Sequence, residues 1–230
     1  MQLPAITDLN AAVDRLLAVT GNPRHRYVLM AYARHRALEV AGRYEEIFAP
    51  DMMSPQAQYH IKAGGNDVVL TGQKQIKGLY RMWAQTNQSV FYVINEEISV
   101  SDHYVTSISS LYQQVSGTSL KANRLLNALP KFIARRLLES VLDQPVHKSD
   151  DDDMYLYKTV GMQMIWPYDD RGRLIGEDVY EPLAEQAELI KLDAKDVMTT
   201  AEACRLLSPL IEPLPSFDEM VLGRKAAVAA

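Results

Sequence analysis

The order of apolar runs predicts an α+β protein, an antiparallel sheet with helices segregated from it. Three observations carry this. Two helical stretches with apolar residues at three- and four-residue spacing come first. A pair of short strands and a third helix follow. Two long hairpins of alternating apolar residues then flank a helical segment. The chain has 230 residues and 47% apolar content, enough for one large domain over 1–230.

Asp8 to Thr20 reads as a short amphipathic helix, with Leu9, Ala12, Val13, Leu16 and Leu17 inward and Gly21 ending it. Asn22 caps a longer helix with Pro23 at its first position, where the missing amide proton costs nothing. This helix is expected to reach Phe48, with Met30, Ala33, Ala37, Val40, Ala41, Tyr44 and Ile47 as its apolar stripe. Tyr32, His35 and Glu39 project from the opposite side, so His35 reads as facing away from the core. After Pro50, short strands are expected over Gln58–Lys62 and Asp67–Leu70, joined across Gly64 and Gly65. Gly72 leads into a helix whose stripe is Ile76, Leu79, Tyr80 and Trp83.

The stretch SVFYVINEEISVSD then pairs with HYVTSISSLYQQVSG, turning at Ser101, Asp102 and His103. A helical insertion covers about 120–153, with Leu126, Leu129, Ile133, Leu137 and Val141 inward and the acidic loop HKSDDDD at its end. A run of aspartates without alternating spacing reads as solvent-facing rather than as a cation site. The second hairpin, YLYKTVGMQMIWPY with RLIGEDVYE, turns at Asp169 to Gly172. The extension over about 185–230 contains a helix near Thr200–Leu207 and the proline-containing tail EPLPSFDEM, which suits wrapping over a surface or a neighbouring subunit.

Composition narrows the function. A net charge of −5 gives no basic field for a phosphate backbone, and pairs such as Arg24 and Arg26 read as solvated helix faces, so no nucleic-acid partner is expected. No stretch approaches the ~20 apolar residues that span a bilayer, so no membrane partner is expected either. Acidic residues and no basic run precede the first apolar stretch, and Cys204 is the single cysteine, which together point to a cytoplasmic protein without disulfides. There is no glycine-rich nucleotide loop, no serine-hydrolase elbow and no paired histidine spacing among His25, His35, His60, His103 and His147. No metal and no cofactor are expected.

What remains is acid/base chemistry by ionisable groups among apolar walls. Glu96 interrupts the alternation of Val90, Tyr92, Ile94, Ile98 and Val100; a regular strand turns Glu96 inward, and a bulge turns Glu97 inward. Tyr112 shares a face with Tyr104, Thr106, Ile108 and Ser110 and is a further candidate. On the first strand Tyr59 and His60 point to opposite faces, so one of them lines any cavity, with Lys62 on the side of His60. Tyr80, Trp83 and Trp166 fit a wall for aromatic rings, and Met162 and Met164 an adaptable apolar one.

The wording NPRHRYVLMAYARHRALEVAGRYEEIFAPDM, then QYHIKAGGNDVVLTGQKQIKGLYRMW, then NEEISVSDHYVTS resembles the nuclear transport factor 2-like superfamily, in particular its polyketide-cyclase-like enzyme branch. The resemblance implies a curled sheet closed by helices into a cone around a deep cavity, and a homo-oligomer, dimeric or higher. Length, insertion and aromatic content are similar to cofactor-independent lyases of that branch that act on lignin-derived diarylpropanes. Such a lyase releases formaldehyde through a quinone methide and gives a stilbene. It would take a small aromatic substrate, with His60, Tyr59, Glu96, Glu97 and Tyr112 in catalysis and Lys62, Tyr80, Trp83 and Trp166 binding. Other chemistries of the same pocket are dehydration, isomerisation or cyclisation of a polycyclic or polyketide-like molecule. A binding or scaffold module without catalysis is the third reading.

Overall fold

The computed structural model describes residues 3–128, 140, 142–143 and 153–223. Asn22 starts the central helix as expected. Its side-chain oxygen accepts hydrogen bonds from the amides of Arg24 and His25, and Pro23 takes the first helical position. Helix α1 (Ala11–Val19) precedes α2 (Pro23–Val40). Helix α2 stops short of Phe48 because Gly42 takes φ +67°, and the amides of Gly42 and Arg43 return to the carbonyls of Glu39 and Leu38. A separate 3-10 turn covers Tyr44–Phe48.

Strand β1 (Met53–Lys62) runs longer than expected, and β2 (Val68–Thr71) pairs with it antiparallel. Helix α3 (Gly72–Gln85) follows, then the hairpin β3 (Phe91–Val100) and β4 (Tyr104–Ser116). Helix α4 (Gly117–Ala128) opens the insertion. Much of that predicted segment, Ile133 and most of the aspartate run included, lies outside the described residues. Three strands complete the second hairpin region: β5 (Met154–Lys158), β6 (Met162–Pro167) and β7 (Leu174–Tyr180). The extension adds β8 (Glu188–Lys191), α5 (Thr200–Leu207) and α6 (Phe217–Met220).

The sheet runs β2-β1-β7-β6-β4-β5-β8, with β3 on the other edge of β4. It curls without closing. One pairing departs from the antiparallel expectation: β1 and β7 run parallel, with Tyr59 opposite Glu177 and Ile61 opposite Val179. The long β4 serves both halves, pairing β6 over Tyr104–Ser109 and β5 over Tyr112–Ser116. Arg24, expected to be solvated, instead pins the hairpin turns. Its guanidinium donates to the carbonyls of Asp102 (2.6 Å), Asp169 (2.9 Å) and Asp170 (2.9 Å). The tail does wrap a surface, and Phe217 packs edge-on against Tyr27 with ring centroids 5.1 Å apart.

Helix α2 lies inside the curl and is buried on nearly every side. This reverses the expectation for His35, which is 2% exposed. The sheet covers the very face that helical periodicity assigned to solvent. A helix buried all round has no polar outside, so polar residues on it face an interior.

Candidate functional site

A cavity of about 790 Å³ lies between α2, α3, α4 and the concave face of the sheet. That is within the range of sites that enclose small organic ligands. Its floor is built from alternate residues of neighbouring strands, which strand geometry sends to one face. Tyr59 and Glu177 share one level, Ile61, Val179, Met164 and Ser107 the next, and Met162 with Ser109 the one after. Further along β4 come Leu111 opposite Val93, then Gln113 opposite both Phe91 and Tyr157.

The inner end is polar because of α2. Tyr32, Arg36 and Glu39, at spacings of four and three, share one helical stripe that faces the cavity. Arg36 Nη1 donates to both oxygens of Glu96, at 2.8 and 3.1 Å, and to the Tyr32 hydroxyl at 3.1 Å. Its Nη2 donates to the Leu9 carbonyl at 2.8 Å. The Tyr32 hydroxyl in turn lies 3.2 Å from Glu96 Oε1. Side-chain exposures of 3% for Arg36 and 5% for Glu96 make this a desolvated ion pair whose charges are matched and hydrogen-bonded.

Two further carboxyls have no such partner. Glu39 is 8% exposed and Glu177 is 9% exposed. Both line the cavity, and neither makes a hydrogen bond to another described residue. Burial raises the pKa of Glu39 well above the ordinary carboxylate range, against a lowering pull from Arg36. Burial raises Glu177 as well, and the neighbouring Glu39 and Asp178 raise it further. The site therefore holds one carboxylate matched to a guanidinium beside two carboxyls biased toward the acid form.

Behind the wall sits a closed set of hydroxyl and imidazole contacts. Tyr80 Oη lies 2.8 Å from His35 Nε2 and 3.0 Å from Tyr59 Oη, and Tyr59 Oη lies 3.5 Å from His35 Nε2. Burial depresses the His35 pKa from 6.5 to about 3, so the ring is neutral, and burial holds both phenols protonated. Trp166 packs edge-to-face against Tyr32 and His35, with centroids 4.8 and 4.7 Å away.

Several predicted site residues meet at this cavity. Tyr59, Glu96, Trp83 and Trp166 line it, with Met162 and Met164 on the same wall. Tyr80 does not line it and stands behind Tyr59. His60 is corrected outright. Its side chain is 45% exposed on the outer face, where Nε2 lies 3.0 Å from Asp67 Oδ1, because Tyr59 takes the inward position and alternation sends His60 out. Lys62 follows His60 outward, its ammonium 5.5 Å from the centre of the Tyr180 ring. Tyr112 is corrected too: the cavity is lined by Ser107, Ser109, Leu111 and Gln113, which leaves Tyr112 on the opposite face of β4.

Glu97 is exposed, although the strand does bulge. The extra residue is Asn95, at φ 54°, between Ile94 and Glu97 in the register with β4. Before it Phe91 and Val93 face the cavity; after it Glu96 does. The expected single face of Val90, Tyr92, Ile94, Ile98 and Val100 is thus two faces joined at a bulge. Glu39, Glu177 and Arg36 are functional candidates that sequence reasoning missed. The signal for two of them was present: Tyr32, His35, Arg36 and Glu39 occupy positions i, i+3, i+4 and i+7, a polar stripe as regular as the apolar one.

No protein-family model matches the sequence, and no curated protein does. Among solved structures the chain is similar to a putative SnoaL-like polyketide cyclase from Jannaschia sp. CCS1, at 11% identity over 72% of this chain and 92% of that one, with a TM-score of 0.44. It is also similar to Bal32a from a soil-derived mobile gene cassette, at 11% identity over 70% of this chain and 94% of that one, TM-score 0.42. An NTF2-like protein from Anabaena variabilis ATCC 29413 gives 7% identity over 70% and 92%, TM-score 0.42. At these identities the likeness assigns no reaction.

Proposed function

We propose that the protein is a cofactor-independent acid/base lyase acting on a bulky, uncharged aromatic alcohol. The observation that carries this is the pair of buried carboxyls, Glu39 and Glu177, that make no hydrogen bond to another described residue and open into a largely apolar cavity of about 790 Å³. A carboxylic acid kept neutral near neutral pH can protonate a leaving hydroxyl, and the carboxylate so formed can then act as a base. The Arg36–Glu96 pair with Tyr32 supplies fixed charge and hydrogen bonds at the same end without needing to rearrange. Trp83, Trp166 and the methionines supply the ring-binding wall.

The most concrete reaction within this reading is deformylation of a diarylpropane diol that carries a para-phenol. A carboxyl of the Glu39–Glu177 pair gives its proton to the benzylic hydroxyl, which departs as water while the phenol passes its proton to solvent water and a quinone methide forms. The resulting carboxylate takes the proton from the terminal hydroxyl, and the carbon–carbon bond breaks to release formaldehyde. The bond's electron pair restores the aromatic ring, the phenol regains its proton, and a stilbene remains. Proton donor and base are the same carboxyl in successive states, so the cycle closes without an added reagent.

The test is direct. Protein dialysed against chelator and incubated with such a diol releases one formaldehyde per stilbene formed. Exchange of both Glu39 and Glu177 for glutamine slows turnover by about 10²–10⁴, the usual contribution of a positioned acid or base. Loss of water without loss of carbon would replace deformylation by dehydration, and a requirement for added metal would reject the mechanism. We carry a homo-oligomer into this reading as well. The exposed Tyr104, Ile108 and Ile165 on neighbouring strands of the outer face support it, and sedimentation at micromolar concentration tests it.

A further inference from the structure

The cavity has a second polar end. Gln113 lies six residues beyond Ser107 on β4, about 20 Å along the strand at the usual rise, so the cavity is long enough for two rings in a row. Between the two ends the same strand presents Ser109 and Leu111, with Val93 and Met162 beside them.

The hydrogen bonds at that far end fix which atoms are spare. Gln113 Nε2 donates to the Gln88 carbonyl at 3.0 Å, and a carbonyl only accepts, so the amide orientation is determined. Gln113 Oε1 then has no hydrogen bond to another described residue, although the side chain lines the cavity. The neighbouring Gln88 amide is spent. Its Nε2 donates to Thr86 Oγ1 at 2.6 Å and to Ser119 Oγ at 2.9 Å, and its Oε1 accepts from the Ser116 amide at 3.3 Å. Across the register from Gln113 stands Tyr157, whose hydroxyl donates to Glu181 Oε1 at 2.7 Å. Glu181 is held in place by accepting the Gly64 amide at 2.7 Å on its other oxygen. With its proton committed, the Tyr157 oxygen offers lone pairs only.

We propose that Gln113 Oε1 and Tyr157 Oη form an acceptor-only subsite that takes a hydrogen bond from a phenol hydroxyl on the far ring of a two-ring ligand. This rests on the aromatic-ligand reading above and narrows it: the ligand is a neutral bis-aryl compound with a free hydroxyl at the end remote from Glu39 and Glu177. A methyl ether at that position presents an acceptor to acceptors and is rejected.

Two fluorescent probes test this, a trans-stilbene with a para hydroxyl on each ring and the same stilbene with both hydroxyls methylated. The wild-type protein binds the dihydroxy probe about tenfold more tightly than the dimethoxy probe. Gln113→Met, near the same volume, reduces that preference several-fold: the dihydroxy probe weakens, while the dimethoxy probe, relieved of one opposing acceptor, binds as well as before or better. Gln113→Asn, which withdraws the carbonyl by one methylene, gives the same loss and serves if the methionine variant does not fold. Equal discrimination by wild type and both variants, or weakening of both probes alike, overturns the subsite and leaves the aromatic cavity standing. Binding of neither probe by the wild type overturns the cavity reading, and the subsite with it.

Discussion

Two glutamates and one histidine carry opposite proton demands in the same interior. Glu39 and Glu177 bind protons more tightly folded than unfolded, where carboxyls sit near 4.5. Their contribution to stability is complete below that value and is lost as pH rises through their folded values. His35 works the other way. Its folded value of about 3 lies below the unfolded 6.5, so its contribution is complete above 6.5 and is lost as pH falls toward 3. Between pH 6.5 and 8 His35 gains only the last few tenths of a kcal/mol, while each carboxyl that the folded chain keeps protonated and the unfolded chain does not costs up to about 1.4 kcal/mol per unit. We therefore expect the melting temperature to fall from pH 6.5 to 8 and Glu177→Gln to lessen that fall, gaining on wild type as pH rises. Parallel wild-type and variant curves across this interval would show that Glu177 is already ionised, and the acid role would go with it.

At the scale of one element, the bulge in β3 decides which glutamate the cavity receives. Asn95 sits at φ 54°, a conformation open to glycine, tolerated by asparagine and strained for a β-branched side chain. Asn95→Gly should keep both fold and activity, whereas Asn95→Val should cost about 1–3 kcal/mol and loosen the Arg36–Glu96 pair. Thermal melts of the two variants, with turnover measured in parallel, check this; equal behaviour would mean that the bulge is incidental. The same bulge explains what the sequence could and could not disclose here. The interruption of an apolar alternation by Glu96 was visible, and Glu96 does line the cavity. The phase was not visible, because alternation before Asn95 and after it belongs to different faces, and one inserted residue exchanges them. Helix α2 taught the converse lesson. Its cap and its first proline were readable, but the fully buried Val28, Leu29 and Leu38 lie off the expected stripe, Met30 and Ala33 on it are only half-buried, and whether the polar stripe met water or a cavity depended on a sheet assembled from distant parts of the chain.

Across the whole molecule, local signals gave the order of elements and both hairpin regions, while long-range pairing stayed hidden. Nothing in β1 announces that it will run parallel to β7, yet this pairing sets Tyr59 beside Glu177 and so builds the acid end. The tilt of that choice also sent His60 outward, although His60 and Tyr59 are chemically equal claimants when read from one strand. The resulting curl leaves space that its own side chains do not fill, and unfilled space lined by aromatic and methionine side chains has two physical consequences. A ligand that enters it binds only the folded chain, so at a hundred times its dissociation constant it adds about 2.7 kcal/mol. For a domain of this size that raises the melting temperature by about 5–10 °C. A side chain grown into the space from within does the same without ligand. Leu111 stands on β4 midway between the acid end and Gln113, so Leu111→Trp should raise stability by about 0.5–2 kcal/mol and abolish the shift produced by the dihydroxystilbene probe. If the interior were already filled, the same substitution would overpack it and lower stability by about 1–3 kcal/mol. The sign of one melting-temperature change thus separates a chamber that awaits a guest from a solid core.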